Sequence, residues 1–191
     1  HEWYPIGSYA NASYPAFGGT FDGDGHTISG MKMTTGSICM ALFGYTRGGL
    51  IENLTVEGEV IASNDAAGVV AVADGTQFYR VVNRVDVTTT LYTYSNTGGI
   101  VASFRSVDNG SGGSSDERVV TMQECANYGS ITARCASGGV GGVVGSVMQD
   151  NGTYRFIRCN NYGEVNVGES TYQSSANAAS VGGIVGYTVF N

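Results

Sequence analysis

Four stretches of the chain share one pattern of apolar and polar positions. Each has apolar side chains at positions one, four and ten, and we call it the long phrase; its copies are residues 51–60, 78–87, 122–131 and 156–165. From position four onward the even-numbered positions share one face of an extended chain, because successive side chains of a strand point to opposite faces. The pattern therefore predicts β-strands with one buried face.

A short apolar phrase precedes each long phrase and also follows the last one. It reads ALFGY, AGVVA, GGIVA, GGVVG and GGIVG, and its anchor residues are Phe43, Val70, Val101, Val144 and Val185. Length differences between copies fall only in the segments that join the phrases. Such repeats are typical of chains whose successive copies stack. Each phrase then pairs with its counterpart in the next copy, and the insertions form loops that project outward.

The repeat predicts an all-β fold, because Val, Ile and Thr favour strands and no segment has a helical period. We expect a parallel β-helix, or β-solenoid, of about five irregular coils with an N-terminal cap region. One domain, 1–191, would contain an entry and cap region (1–40), repeat units (41–66, 67–97, 98–140 and 141–181) and a truncated last unit (182–191). Because that unit lacks its long phrase, we expect a fragment of a longer protein with further domains.

Composition narrows the functional classes. Lys and Arg number 9 against 16 Asp and Glu, giving a formal charge of −7, which argues against a nucleic-acid partner because phosphate binding needs clustered basic side chains. The apolar runs are too short to cross a membrane. With 2 histidines and 4 cysteines that lack CxxC spacing, a zinc site is disfavoured, and no cofactor is expected.

Position six of the long phrase holds Val56 and then three asparagines, Asn83, Asn127 and Asn161. Stacked copies would place these amides about 4.8 Å apart. Each amide could then donate to the next carbonyl, which would satisfy groups that are costly to bury alone. We predict a structural asparagine ladder.

Position four holds Leu54, Val81, Cys125 and Cys159. The two cysteines are most simply small core residues with free, buried thiols. A disulfide between them is the open alternative, because neighbouring strands would bring their Cα atoms within the range that a disulfide requires.

The stretch GGTFDGDGHTISGM, residues 18–31, concentrates Asp22, Asp24 and His26 among glycines. Asp-Gly pairs form turns, so we interpret it as a corner between two strands. A weak calcium candidate is Asp22 with Asp24, since aspartates at i and i+2 resemble part of a calcium loop, but the remaining ligands are missing. Acid–base catalysis lacks a second group that would complete a mechanism.

The segments GTFDGDGHTISGM, ALFGY, IENLTVEGEV and the pairs of GGIVG with C-x-N-Y-G-x-V resemble the GLUG-motif repeats of bacterial secreted and surface proteins, over nearly the whole chain. Related repeats occur beside the catalytic part of immunoglobulin-A-cleaving metallopeptidases and in adhesin-like proteins. The resemblance implies an extracellular, β-helical, non-catalytic module; the peptidase is not implied, because HExxH is absent. The second unit, which has Val85 in place of glycine, and the insertion 106–118 depart from the pattern.

The favoured functional hypothesis is a non-catalytic extracellular module for adhesion, ligand presentation or spacing, with a host or bacterial glycan or protein as its partner. Tyr128 and Tyr162, at position seven, are the ligand-binding candidates, because tyrosine offers an apolar face and a polar tip. The structural alternative is that the two rings stack and stabilise the sheet.

Two other functions stay open. A polysaccharide-cleaving β-helix enzyme could use Asp22, Asp24, Asp108, Asp116, Glu117 and Arg118, although the last four lie in a Ser/Gly-rich insertion typical of a mobile loop. The chain could also be a stalk, or an accessory domain of a secreted peptidase.

Overall fold

The computed structural model describes residues 2–8, 15–34, 38–90, 94–105, 118–134, 137–148, 152–168 and 179–189. All regular structure in these residues is β-strand, as the aliphatic and threonine-rich phrases predict. The strands in chain order are β1 Thr20–Asp22, β2 Thr27–Met33, β3 Ile38–Met40, β4 Phe43–Arg47, β5 Leu50–Ala62, β6 Asn64–Ala67, β7 Val70–Asp74, β8 Gln77–Thr89, β9 Thr97–Gly98, β10 Val101–Arg105, β11 Arg118–Gln123, β12 Ala126–Asn127, β13 Ile131–Ala133, β14 Gly139–Gly141, β15 Val144–Met148, β16 Gly152–Ile157, β17 Asn160–Asn161, β18 Val165–Val167, β19 Ser180–Gly182 and β20 Val185–Val189.

Ten strands form the large sheet, whose main path runs β1–β5–β8–β11–β16. Strand β2 also pairs with β5, while β12 and β13 pair with β8 on one side and with β17 and β18 on the other. The long phrase lies in this sheet. Its first two copies lie within the 13-residue strands β5 and β8, whereas each later copy is divided among three shorter strands.

Two five-stranded sheets complete the fold. The second sheet has the order β20–β15–β10–β7–β4, and the third has the order β19–β14–β9–β6–β3. The chain passes from the third sheet to the second through two residues, such as Gly68 and Val69 between β6 and β7. The short phrase therefore spans the junction of these sheets, which explains its glycines: the backbone bends there and neighbouring chains approach closely.

The pairing register follows the repeat. Neighbouring anchors pair in parallel strands, in the order Phe43, Val70, Val101, Val144 and Val185. Position one of the long phrase pairs likewise, in the order Ile51, Phe78, Met122 and Phe156. The prediction that identical positions of successive copies lie side by side in parallel strands is confirmed.

The inward positions form the apolar core. Phe78 and Phe104 are buried, and their rings meet edge to face with centroids 5.9 Å apart. Burying one large apolar side chain contributes about 1.5–3 kcal/mol, so the repeated inward positions together stabilise the fold. Toward the last strands the same positions are only partly buried, as at Val165, Ile184 and Val185.

Position three of the long phrase has left-handed backbone in every copy. The φ angles are 50° at Asn53, 52° at Arg80, 56° at Glu124 and 51° at Arg158. A residue in this conformation interrupts the alternation of a strand. Positions two and three are therefore both at least partly exposed, and the next inward side chain comes at position four. This bulge explains the spacing of three between the first two apolar positions.

The prediction of a β-helix, or β-solenoid, of about five coils with an N-terminal cap is wrong. The strands form three parallel sheets, and no β-helix is assigned to the described residues. Within 1–40, β1 and β2 pair with β5, and β3 pairs with β6, so this region extends two of the sheets. The physical reason is that a repeat determines which residues pair, but not how many residues of each copy become strand or how the strands divide into sheets. The unit boundaries stay a prediction.

Candidate functional site

The corner at residues 23–26 joins β1 to β2. Asp24 and Gly25 have left-handed φ angles of 49° and 76°, and the His26 amide donates to the Gly23 carbonyl at 2.7 Å. Asp22 Oδ1 accepts from the Asp24 amide at 2.9 Å and from Asn53 Nδ2 at 3.0 Å. The bond from Asn53 and the Asp24 amide lower the pKa of Asp22.

The structure brings no third carboxylate to Asp22 and Asp24 in the part of the chain that it describes, where no group of three or more His, Cys, Asp or Glu side chains could hold a metal ion. Three candidates for a catalytic role, Asp108, Asp116 and Glu117, lie outside the described residues. Arg118 begins β11.

The three ladder asparagines lie in register on neighbouring strands of the large sheet. Asn83 Nδ2 donates to Asn127 Oδ1 at 2.7 Å, and Asn127 Nδ2 donates to Asn161 Oδ1 at 2.8 Å. Each amide also donates to the carbonyl two residues later. Asn83 and Asn127 are fully buried, so these bonds satisfy amide groups that water cannot reach.

Each ladder asparagine packs against the second residue of the short phrase in its own copy. A Cβ added at Gly68 would lie 1.8 Å from Asn83 Oδ1, one at Gly99 would lie 2.5 Å from Asn127 Cγ, and one at Gly142 would lie 2.2 Å from Asn161 Cγ. When the copies are aligned on their anchors, Phe43 with Val70, the first copy has Ala41 at the position of Gly68 and Val56 in place of the asparagine. Glycine therefore occurs where the asparagine needs the space.

Tyr128 and Tyr162 form a stacked pair on the outer face of the large sheet. Their ring centroids are 4.8 Å apart with an interplanar angle of 18°, and the residues are 46% and 64% exposed. The Arg84 guanidinium lies over the Tyr128 ring at 4.8 Å, and Arg84 Nε lies 3.8 Å from Glu57 Oε1. Position seven thus carries two charged and then two aromatic side chains.

A second row on this face comes from the bulged position three. Arg80 Nε donates to Glu124 Oε2 at 3.0 Å, and Arg158 Nη2 donates to Glu124 Oε1. The hydrogen bonds from Arg158 and Arg80 lower the pKa of Glu124 to about 2. The carboxylate is therefore ionised across the neutral range.

Cys125 and Cys159 are both free thiols. Cys125 is buried, and its hydrogen bond to Cys159, together with burial, raises its pKa well above the ordinary value. Cys159 is half-buried; the bond from Cys125 lowers the pKa of Cys159 to about 7, and its Sγ lies 3.3 Å from the Met122 carbonyl oxygen. Cys135 lies outside the described residues.

Sequence reasoning missed the Arg80–Glu124–Arg158 row and the place of Arg84 beside the tyrosines. The missed signal was the three-residue spacing between the first two apolar positions, which places positions two and three outside. Once the copies are aligned, Arg84 shares position seven with Tyr128 and Tyr162, so their proximity could have been predicted.

No protein-family model matches the chain, and no curated protein matches it. Among solved structures, the chain is similar to a crystal structure described as that of "a putative immunoglobulin A1 protease from Bacteroides ovatus". The two share 16% identity with a TM-score of 0.55, over 99% of this chain and 73% of that chain. This likeness shows a shared fold alone, and the resemblance to GLUG-motif repeats stays a prediction. No helix long and apolar enough to cross a membrane occurs among the described residues.

Proposed function

We propose that this chain is a non-catalytic extracellular module of a bacterial secreted or surface protein, and that it binds a glycan at the pair Tyr128 and Tyr162. The observation that carries the proposal is the stack of two exposed, nearly parallel tyrosine rings. Large aromatic side chains contribute most when they bury their faces. Two of them on the solvent side of a sheet offer contact area to a partner.

The geometry suits a sugar ring. Arg84 covers one face of the Tyr128 ring, and Tyr162 covers the other, so Tyr162, at 64% exposure, presents the open outer face of the stack. The apolar C–H face of a pyranose can lie against this ring while the Tyr162 hydroxyl contacts the hydroxyl groups of the sugar. The two tyrosines come directly after β12 and β17, and their backbone amides donate to the Asn83 and Asn127 carbonyls at 2.8 Å, which holds the rings in register.

The lowered pKa values of two carboxylates, Glu124 and Asp22, support a role without catalysis. A general acid needs a pKa near the working pH, yet two arginines hold the pKa of Glu124 near 2. Asp22, at the far corner, also has a lowered pKa because it accepts hydrogen bonds. These described carboxylates are poor proton donors to a leaving group.

The similar solved structure bears on the parent protein of this chain. The Bacteroides ovatus protein with the similar fold is described as a putative immunoglobulin A1 protease. We therefore propose that the parent protein is a secreted peptidase and that this chain is an accessory module of it. The role that we propose for the module is adhesion through a glycan.

A glycan array tests the proposal, with the double variant Tyr128→Ala and Tyr162→Ala beside the parent chain. We expect the parent to bind a defined set of glycans and the double variant to lose about 5- to 150-fold in affinity, since each aromatic contact is worth about 0.5–1.5 kcal/mol. Tyr4→Ala is the matched control, because Tyr4 is 80% exposed and lies outside the stack. Equal binding by the double variant would refute the site, and turnover of acidic polysaccharides by the parent would refute the non-catalytic role.

A further inference from the structure

The strands β16 to β20 end all three sheets on the same side, and we call this side the terminal edge. Strands β16, β17 and β18 close the large sheet, β19 closes the third sheet and β20 closes the second. Inward side chains that are buried elsewhere are only partly buried here, among them Phe156, Cys159, Val165, Ile184 and Val185. An edge of this kind can accept a further strand through its backbone groups.

Asn161 presents a hydrogen-bond donor at the terminal edge. In the ladder, Asn127 Nδ2 donates both to Gly129 O at 2.9 Å and to the next asparagine at 2.8 Å. Asn161 Nδ2 makes the first of these bonds, to Gly163 O at 3.0 Å. An amide nitrogen has two protons, and among the described residues the second proton of Asn161 has no acceptor.

Gly183 provides space at the same place. It corresponds to Gly68, Gly99 and Gly142, each of which leaves room for the asparagine of its own copy. No described atom lies within 4 Å of a Cβ added at Gly183. The open space beside Gly183 and the donor on Asn161 therefore converge on the position that one more ladder asparagine would occupy.

We infer that the terminal edge binds an extended polypeptide segment as a further parallel strand, with an asparagine of that segment seated between Asn161 and Gly183. We expect glycine two residues after the asparagine, as in the last two copies: a Cβ at Gly163 would lie 2.0 Å from the Gly129 carbonyl oxygen, and a strand placed over Gly163 meets the same constraint. Apolar residues two before the asparagine and four after it would cover Cys159 and Val165. The partner therefore carries apolar-x-Asn-x-Gly-x-apolar.

A second copy of this chain does not supply that strand. Its first strands are β1 and β2, and Ile28 of β2 stands in register with Val56, at position six. Head-to-tail stacking of two copies would thus place an isoleucine over Asn161, which would leave the amide donor facing an apolar side chain.

The test is a titration of the isotope-labelled full chain with a synthetic peptide, FIRANNYGEV, which repeats residues 156–165 with Cys159→Ala. We expect saturable amide shifts confined to β16–β20. The variant Gly183→Ala should fold normally, because its Cβ meets no described atom. It should weaken peptide binding at least about tenfold, because that Cβ would overlap the incoming asparagine as it would at Gly142.

Two controls isolate the asparagine seat. Gly168→Ala makes the same chemical change after β18, where a Cβ would make an ordinary contact 3.4 Å from Arg134 Cγ, and should leave binding unchanged. A peptide with alanine in place of the ladder asparagine should bind about tenfold more weakly, since it leaves the Asn161 donor unpaired. Equal affinity of Gly183→Ala and the parent, equal affinity of the two peptides, shifts elsewhere on the chain, or no saturable binding would each overturn the inference.

Discussion

Replacing the central ladder residue, Asn127→Ala, should destabilise the protein by about 3 kcal/mol. The change removes three hydrogen bonds: from Asn83 at 2.7 Å, to Asn161 at 2.8 Å and to Gly129 O at 2.9 Å. A buried hydrogen bond contributes about 1 kcal/mol net, and more when a partner is left unsatisfied. The neighbours keep part of their bonding, because Asn83 Nδ2 still donates to Val85 O and Asn161 Oδ1 still accepts from the Gly163 amide.

Urea unfolding followed by circular dichroism measures this loss, with the slope of the transition checked for equality between variant and parent. In a thermal melt the same loss lowers Tm by about 6–12 °C for a chain of this length. Asn166→Ala is the control: Asn166 is exposed on β18, and its replacement should change the stability by less than about 0.5 kcal/mol.

The ladder also predicts coupling. Asn83→Ala and Asn127→Ala share the 2.7 Å bond, so the double variant should lose about 1 kcal/mol less than the sum of the single losses. A loss below about 1 kcal/mol for Asn127→Ala, or strict additivity in this cycle, would contradict the reasoning that the amides act as a connected row.

Three further predictions concern other described groups. Glu124→Gln should remove a contribution to stability that is present above about pH 4.5 and is lost as the pH falls toward 2, because the folded pKa of Glu124 lies near 2; thermal melts from pH 7 to pH 2 measure it. Alkylation of Cys159 by iodoacetamide should rise as the pH passes about 7 while Cys125 stays unreactive, as peptide mass mapping would show; equal labelling of both would contradict this. Gly142→Ala should cost about 1–3 kcal/mol through overlap with Asn161, whereas Gly183→Ala should not destabilise; equal urea midpoints would contradict the glycine–asparagine match.

Much of the pairing could be predicted from the sequence because the two phrases keep constant length. Residues at equal positions, such as Val101 and Val144, then have one consistent partner in the next copy, and the side-chain period of two fixes which face is buried. The side-by-side placement of Tyr128 and Tyr162 follows from the same register.

The division into sheets could not be predicted in this way. The first two copies of the long phrase run through 13-residue strands. The third copy breaks at Glu124 and after Asn127, and the fourth breaks at Arg158 and after Asn161. That difference depends on local backbone geometry as much as on side-chain pattern. The ion-pair row on the outer face was signalled only by the three-residue spacing between the first two apolar positions. The ion pairs of Arg80 and Arg158 with Glu124 depend on a left-handed residue, and charged side chains adopt this conformation without a glycine to mark it.

The repeated bulge has a consequence for how this protein can diversify. Because positions two and three both face outward, each long phrase offers two adjacent side chains whose replacement leaves the inward residues unchanged. Position two differs in all four copies and position three holds three residue types, the pairs reading Glu-Asn, Tyr-Arg, Gln-Glu and Ile-Arg, while positions one and four stay apolar or cysteine. The bulge thus separates the part of the sequence that maintains folding from a part that is free to acquire new surface chemistry, copy by copy.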